Sequence, residues 1–335
     1  MPPRSYYLQP RKSDYIAFAK AYFPEELENA INFVERFSRP YIRSDIHIAA
    51  YIGISPEIIE KICFNKEYHY RRFSILKPNG TDRIIASPRT YLKVIQFWIL
   101  DNILYSVDFP DLVHGFRPGR GYYSNALSHI GTSHLLNIDI KEFFPNVSKK
   151  LVLNSFMELG YPYVAASIIT ELCTLDNSIP TGAPTSPAIG NLVLRNMDKQ
   201  LLDFASLNKL NYTRYADDLT FSSKSWIDFK LLGQISEIVN ASGFFLNKNK
   251  TKFMGRGNRM EVTGVTINST PNLNRKWRNW ARGFLYRAVT NPMVMSDKKN
   301  TISGIYGALK ALDPQESNKL TQLAKRAVFA LKNNS

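Results

Sequence analysis

The tightest constraint on this chain is a strand-borne carboxylate, with a second carboxylate-bearing strand element far along the sequence. Leu136, Ile138 and Ile140 alternate with Asn137, Asp139 and Lys141, and a period of two marks a strand with one face in the core. Tyr212 to Phe221 reads as a β-hairpin with Ala216-Asp217-Asp218 at its tip. On its own, an Asp-Asp pair in a turn is ordinary turn chemistry. With the two elements side by side in one sheet, three carboxylates gather at its end.

The remaining pattern is a mixed α/β chain without repeats. Ile16, Ala19, Phe23, Leu27, Ile31 and Val34 follow helical spacing broken at Pro24, and Ser55-Pro56 opens a further helix. Tyr70 to Pro88 reads as a hairpin about Pro78-Asn79-Gly80, followed by a helix over Leu92 to Leu104. Thr185, Ser186 and Pro187 start a helix that runs through Ile189, Val193, Met197, Leu201 and Phe204, and Glu261 to Asn268 reads as one strand. Near the end, Trp277, Trp280, Ala281, Phe284, Leu285 and Ala288 form an apolar stripe assigned to the core. Arg275, Arg278 and Arg282 occupy another face, and a last helix carries Leu320, Leu323, Ala324, Ala327, Val328 and Leu331.

Charge narrows the partners. Lysine and arginine number 43 against 28 acids, a net +15, which fits a polyanion such as nucleic acid. Residues 270 to 335 hold 12 of those cations and three acids, and two further basic stretches run from Lys66 to Lys93 and from Lys248 to Arg259. A membrane span is excluded because the longest apolar run, Val94 to Leu100, is interrupted by Gln96 and is far below the roughly 18 residues needed. The N-terminus lacks the apolar stretch of a secretory signal, so a cytoplasmic location is expected. Cys63 and Cys173 form no CxxC pair and are expected as apolar fillers rather than zinc ligands or a disulfide.

Clustered carboxylates suit phosphoryl transfer, which needs divalent ions held by oxygen more than it needs covalent help. Tyr215-Ala216-Asp217-Asp218 follows NIDIKEFFPNV at 137 to 147 and IPTGAPTSPAIGN at 179 to 191. Together with RFSILKPNGTDRIIASP at 72 to 88, HGFRPGRG at 114 to 121, GFFLNKNKT at 243 to 251 and EVTGVTIN at 261 to 268, the ordered set resembles the reverse transcriptases. The resemblance covers about Arg71 to Asn268, with a weaker match beyond. Asn125-Ala126-Leu127-Ser128-His129 and Val262-Thr263-Gly264 are similar to the NAxxH and VTG elements of retron-type enzymes.

The resemblance implies an α+β right-hand polymerase: an N-terminal helical extension (1–60), fingers (61–135), an RRM-like palm with an antiparallel sheet (136–268, with a fingers insertion around 148–180) and a helical thumb (269–335). It implies RNA-directed DNA synthesis from dNTPs with two Mg²⁺ ions, for which Mn²⁺ can substitute. The template would be a cognate structured non-coding RNA, primed from an internal 2′-hydroxyl to give a branched RNA–DNA molecule (msDNA), in an anti-phage defence system with a separate effector protein. Asp139, Asp217, Asp218 and the Ile140 carbonyl would hold metal. Lys250 would protonate pyrophosphate or make a plain phosphate contact, and Lys77 and Arg83 would clamp the triphosphate where they are not simply solvated turn charges. Phe144 would gate against a 2′-hydroxyl if the chain turns after Lys141, whereas strand parity favours Phe143. Tyr215 would lie below the primer end, and Gly182 would admit the nucleotide to the backbone. Asn125, His129, Val262, Thr263, Gly264, Arg275, Arg278 and Arg282 would contact RNA, while His129 taken by itself reads as a hydrogen-bonded core histidine.

This chain departs from the family at Thr181, where many relatives carry glutamine. Three alternatives accompany the retron reading: a group II-like enzyme, an abortive-infection enzyme, and a basic RNA-binding scaffold that restrains an effector.

Overall fold

The computed structural model describes residues 11–76 and 80–333. Four helices come first, α1 (Lys12–Tyr22), α2 (Leu27–Phe37), α3 (Asp45–Ile52) and α4 (Pro56–Phe64). The break between α1 and α2 falls at Pro24, which opens a single 3₁₀ turn, and Pro56 sits in the first turn of α4 where its missing N–H costs nothing. Strands β1 (Tyr70–Leu76) and β2 (Asp82–Pro88) pair antiparallel with Tyr70 opposite Pro88, as the hairpin pattern requires. Helix α5 (Thr90–Ile99) runs on as a π-helical turn to Leu104.

Then follow α6 (Tyr122–Leu127), β3 (His134–Asp139), α7 (Phe143–Asn146), α8 (Lys149–Glu158) and α9 (Tyr163–Cys173). The expected helix after Pro187 is two, α10 (Ser186–Val193) and α11 (Arg195–Leu207), separated at Leu194. Strands β4 (Asn211–Tyr215) and β5 (Asp218–Ser223) form the second hairpin, and α12 (Phe229–Ala241) leads to β6 (Lys252–Gly255). The segment read as one strand is a tight hairpin, β7 (Glu261–Val262) and β8 (Val265–Thr266), with β9 (Asn272–Leu273) alongside. Thr263 and Gly264 both take positive φ, 47° and 84°, the geometry of a two-residue hairpin loop, and that turn is what divides the strand. Helices α13 (Arg275–Thr290), α14 (Lys299–Leu312) and α15 (Lys319–Asn333) complete the chain.

Two compact units divide the chain. One holds the residues up to Phe116, Ile140–Phe204 and Leu232–Leu246; the other holds Arg117–Asp139, Ala205–Leu231 and the residues from Asn247 on. In the first, buried Leu92, Ile95 and Ile99 on α5 and Ile169 and Leu172 on α9 contribute to the core. The Gln96 amide, wholly buried, donates to Tyr70 Oη at 2.9 Å and to the Leu172 carbonyl at 2.8 Å.

The second unit contains an antiparallel sheet ordered β4-β5-β3-β6. Along the chain these strands and the intervening helices run β-α-β-β-α-β, with the first strand between the third and fourth, which is the RRM-like arrangement expected of a palm. Its α13–α15 layer is held by Ala281, Leu285, Ala288, Ile302, Ile305, Leu320, Ala324, Ala327 and Leu331. Trp280 is 48% exposed and stacks on Phe284 with centroids 5.2 Å apart, so it lies beside the buried stripe and not in it. Cys173 is buried and Cys63 half-buried, and burial pushes both thiols up, to about 12 and about 11. Among the described residues no helix is long and apolar enough to cross a membrane.

Candidate active site

Register brings the carboxylates together. In the β3–β5 pairing, Asp139 stands directly opposite Asp218, and in the β4–β5 hairpin Tyr215 is Asp218's other cross-strand neighbour. Only Ala216 and Asp217 lie between those strands. Ala216 takes φ 57°, a left-handed conformation that costs a non-glycine residue energy and tends to persist at functional sites. The Arg214 guanidinium, fully buried below the turn, donates to the Ala216 carbonyl at 3.0 Å. Arg214 escaped the sequence reading; its one signal was a charged side chain beside strand residues that pack inward.

Asp139 is 6% exposed and heavily bonded. Lys250 Nζ lies 2.7 Å from its Oδ2, Asn247 Nδ2 donates to its Oδ1 at 3.3 Å, and the Asn247 backbone N–H donates to its carbonyl at 2.7 Å. The Asp139 bond in turn pushes the Lys250 ammonium above its ordinary pKa. Asn247, inside the quoted GFFLNKNKT block, is a second residue the sequence reading missed. Burial of the carboxylate, reinforced by the charges of Asp217 and Asp139, pushes Asp218 up to about 6. Burial also raises the half-buried Tyr215 phenol, with Asp218 adding to the shift.

An all-oxygen donor set of this kind suits Mg²⁺. Among the described residues, no three His, Cys, Asp or Glu side chains yet converge tightly enough to hold a metal ion. Ile140, at the end of β3, is buried and bridges to Leu246.

In the other unit the chain turns where Phe144 needs it to. Glu142 takes φ 46°, and α7 then begins. Phe143 is 4% exposed and packs 5.7 Å from the Phe244 ring, while Phe144 is half-exposed. The turn at Glu142 breaks the strand's parity, so Phe143 packs in the core and Phe144 is left accessible. Gly182 takes φ 121°, and a Cβ there would meet Ile85 Cγ2 at 2.8 Å and the Ala86 carbonyl at 3.0 Å. The adjoining Thr181 carbonyl accepts from the Ala86 N–H at 2.8 Å. The close approach this glycine permits in the structure is to strand β2. Arg83 is exposed on β2; Lys77 lies outside the described residues.

The residues expected to touch RNA divide in two. His129 is 1% exposed and bridges Ser222 Oγ and Thr213 Oγ1, each at 2.7 Å, which makes it a core histidine that ties β4 to β5. Asn125 and Val262 are likewise fully buried, Val262 in one cluster with Ala126, Leu135 and Val265. Burial withdraws these three from direct contact. Thr263 Oγ1 donates to the Tyr122 carbonyl at 2.8 Å, so the VTG turn is clasped to the start of the NAxxH helix, with Gly264 exposed at its tip. Arg275 and Arg282 are exposed on α13, and Arg278 is half-buried with its Nε out of solvent.

Comparison with known proteins agrees with this geometry. Residues 75–267 match the family model of the reverse transcriptase (RNA-dependent DNA polymerase). The retron Mx65 reverse transcriptase of Myxococcus xanthus is 30% identical over 313 residues, spanning 87% of this chain and 73% of that protein. The retron Ec86 reverse transcriptase of Escherichia coli is 34% identical over 217 residues, spanning 64% and 68%. A telomerase structure from Candida albicans is more distant, with a TM-score of 0.43 and 10% identity over 64% of this chain and 50% of that one. The chain belongs to the reverse transcriptases, among those of retron type, and is an RNA-directed DNA polymerase.

Proposed function

We propose that this polymerase copies a cognate structured non-coding RNA, starting from an internal 2′-hydroxyl and leaving a branched RNA–DNA product, in an anti-phage system with a separate effector. The observation that carries the catalytic part is the facing of Asp139 and Asp218 across β3 and β5, with Asp217 beside them at the hairpin tip. Asp139, Asp217, Asp218 and the Ile140 carbonyl would hold two Mg²⁺ ions, which when bound supply charge stabilisation for the attacking and leaving oxygens. Lys250, which bonds Asp139 in the structure, would give a proton to departing pyrophosphate. Phe144 selects against a ribose, Tyr215 supports the primer end, and Arg83 with Lys77 clamps the triphosphate. Exposed Gly264, Arg275 and Arg282, together with the half-buried Thr263 and Arg278, take the RNA. Fingers, palm and thumb follow the boundaries 61–135, 136–268 and 269–335, after an N-terminal extension.

Two measurements test this reading. Asp217→Asn should lower Mg²⁺-dependent primer extension by orders of magnitude while RNA binding persists, since losing metal charge stabilisation costs several kcal/mol of barrier. Sequencing nucleic acid co-purified from the native operon should return a 2′,5′-branched species. An unbranched product would favour the group II-like or abortive-infection alternative, and full activity of Asp217→Asn would sink the catalytic assignment.

A further inference from the structure

We propose that a cleft between the end of α4 and the start of β1 is a stacking site for unpaired nucleotides of the bound strand, built from residues outside the catalytic set. This rests on the reading that the chain handles RNA and DNA. Helix α4 ends at Phe64, whose ring is 96% exposed, and the 3₁₀ turn Lys66–His69 then presents Tyr68 at 63%. Burying a phenylalanine gains about 1.5 to 3 kcal/mol, so a ring left wholly in water is a residue the fold itself does not use. Phe64 and Tyr68, with Lys61, Asn65 and His69, line an open cleft of about 610 Å³.

The surroundings fix both geometry and charge. The Arg89 guanidinium lies 5.0 Å from the Tyr68 centroid, and the Arg89 N–H donates to the His69 carbonyl at 2.8 Å, so the end of β2 backs the tyrosine. Tyr91, two residues on, is 67% exposed. Lys61, Arg71 and Arg89 are exposed cations around the cleft. Of the nearby acids, Glu67 is tied to Arg72 at 2.6 Å, which leaves Glu60 at the rim. Burial and the charge of Arg89 lower the His69 pKa, so its ring is neutral at pH 7 and adds an apolar wall.

Aromatic faces ringed by cations are what proteins use to hold single strands, because every base offers a π-face and every linkage a phosphate. A continuous duplex hides its base faces and has nothing to insert. An apolar protein segment would fill the cleft but would leave the cations unanswered, so we commit to a single strand.

The test uses the full-length chain, with a fluorescently labelled 12-nucleotide single-stranded RNA and an RNA duplex of equal length as probes. The Phe64→Ala/Tyr68→Ala variant should lose single-strand affinity by about tenfold or more, with duplex affinity unchanged. Lys61→Gln/Arg89→Gln should lower the log–log salt slope for the single strand by about 1.4. Phe64→Ser alone, at a position surrounded by water, keeps the test open if the double variant melts early. Unchanged single-strand affinity in a folded Phe64 variant, or equal losses for both probes, would overturn the proposal. So would a cleft variant that binds RNA normally but loses a co-purifying protein. Primer extension by the parent chain, read in parallel, reports on the proposed function separately: its failure would strike that reading and not this one.

Discussion

Asp218 carries a cost that Asn would not. Its pKa is raised to about 6 from 3.8, so the fold resists its ionisation. Below about pH 4 both folded and unfolded chains hold the proton and nothing is lost; stability then falls as pH rises and reaches its full deficit above about 6. Neighbouring chain crowds the Asp218 carboxylate, yet the residue keeps its access to solvent, and that screening reduces the deficit to the order of 1 kcal/mol. Without divalent ions, Asp218→Asn should therefore melt higher than the parent at pH 8, with the difference closing by pH 4, while DNA synthesis is lost. Calorimetry across that pH range checks the sign. The two phenylalanines separate in the same spirit. Phe144→Ala should raise ribonucleotide incorporation, read by primer extension with mixed nucleotides, and leave stability nearly untouched. Phe143→Ala, in the core, should cost about 3 to 5 kcal/mol in denaturant melts.

Elements with strong period or strong turn chemistry were legible before any coordinates. The breaks at Pro24 and Pro56, the β1–β2 hairpin and the carboxylate strands all stand where the pattern put them. Three features were not legible, each for a physical reason. The VTG turn hides because its left-handed first residue is a β-branched threonine, held by its hydroxyl to Tyr122 rather than advertised by composition. The NAxxH helix was readable as a motif but not as an interior element, since burial depends on the sheet that His129 ties together. Helix α13 was placed correctly, but its stripe was read too wide: Ala281, Leu285 and Ala288 are core and Trp280 is not. Leu285→Ala should thus cost about 2 to 5 kcal/mol, and Trp280→Ala clearly less than a buried tryptophan would. Exchanging Arg275, Arg278 and Arg282 for glutamine should lower the salt slope of RNA binding by about two to three units. A smaller drop of about 1.4 to 1.8 would assign the contacts to Arg275 and Arg282, the two exposed members.

At the scale of the whole molecule, the chain passes between its two compact units at Phe116/Arg117, Asp139/Ile140, Phe204/Ala205, Leu231/Leu232 and Leu246/Asn247. Neither unit is therefore one continuous stretch of chain. The 136–268 segment lacks Tyr122 and Ala126, which pack with Val262 and Met260, and lacks Leu273 from the same cluster. Expressed alone it should show no cooperative melt by near-ultraviolet circular dichroism, whereas the full chain should. The β4–β5 loop has a consequence of another kind. With two residues between the strands, one inserted residue would shift the register and turn every side chain of β5 to the opposite face, carrying Asp218 away from Asp139. On the proposed reading of the site, a lineage that goes on copying RNA would have to inherit this corner with its length unchanged.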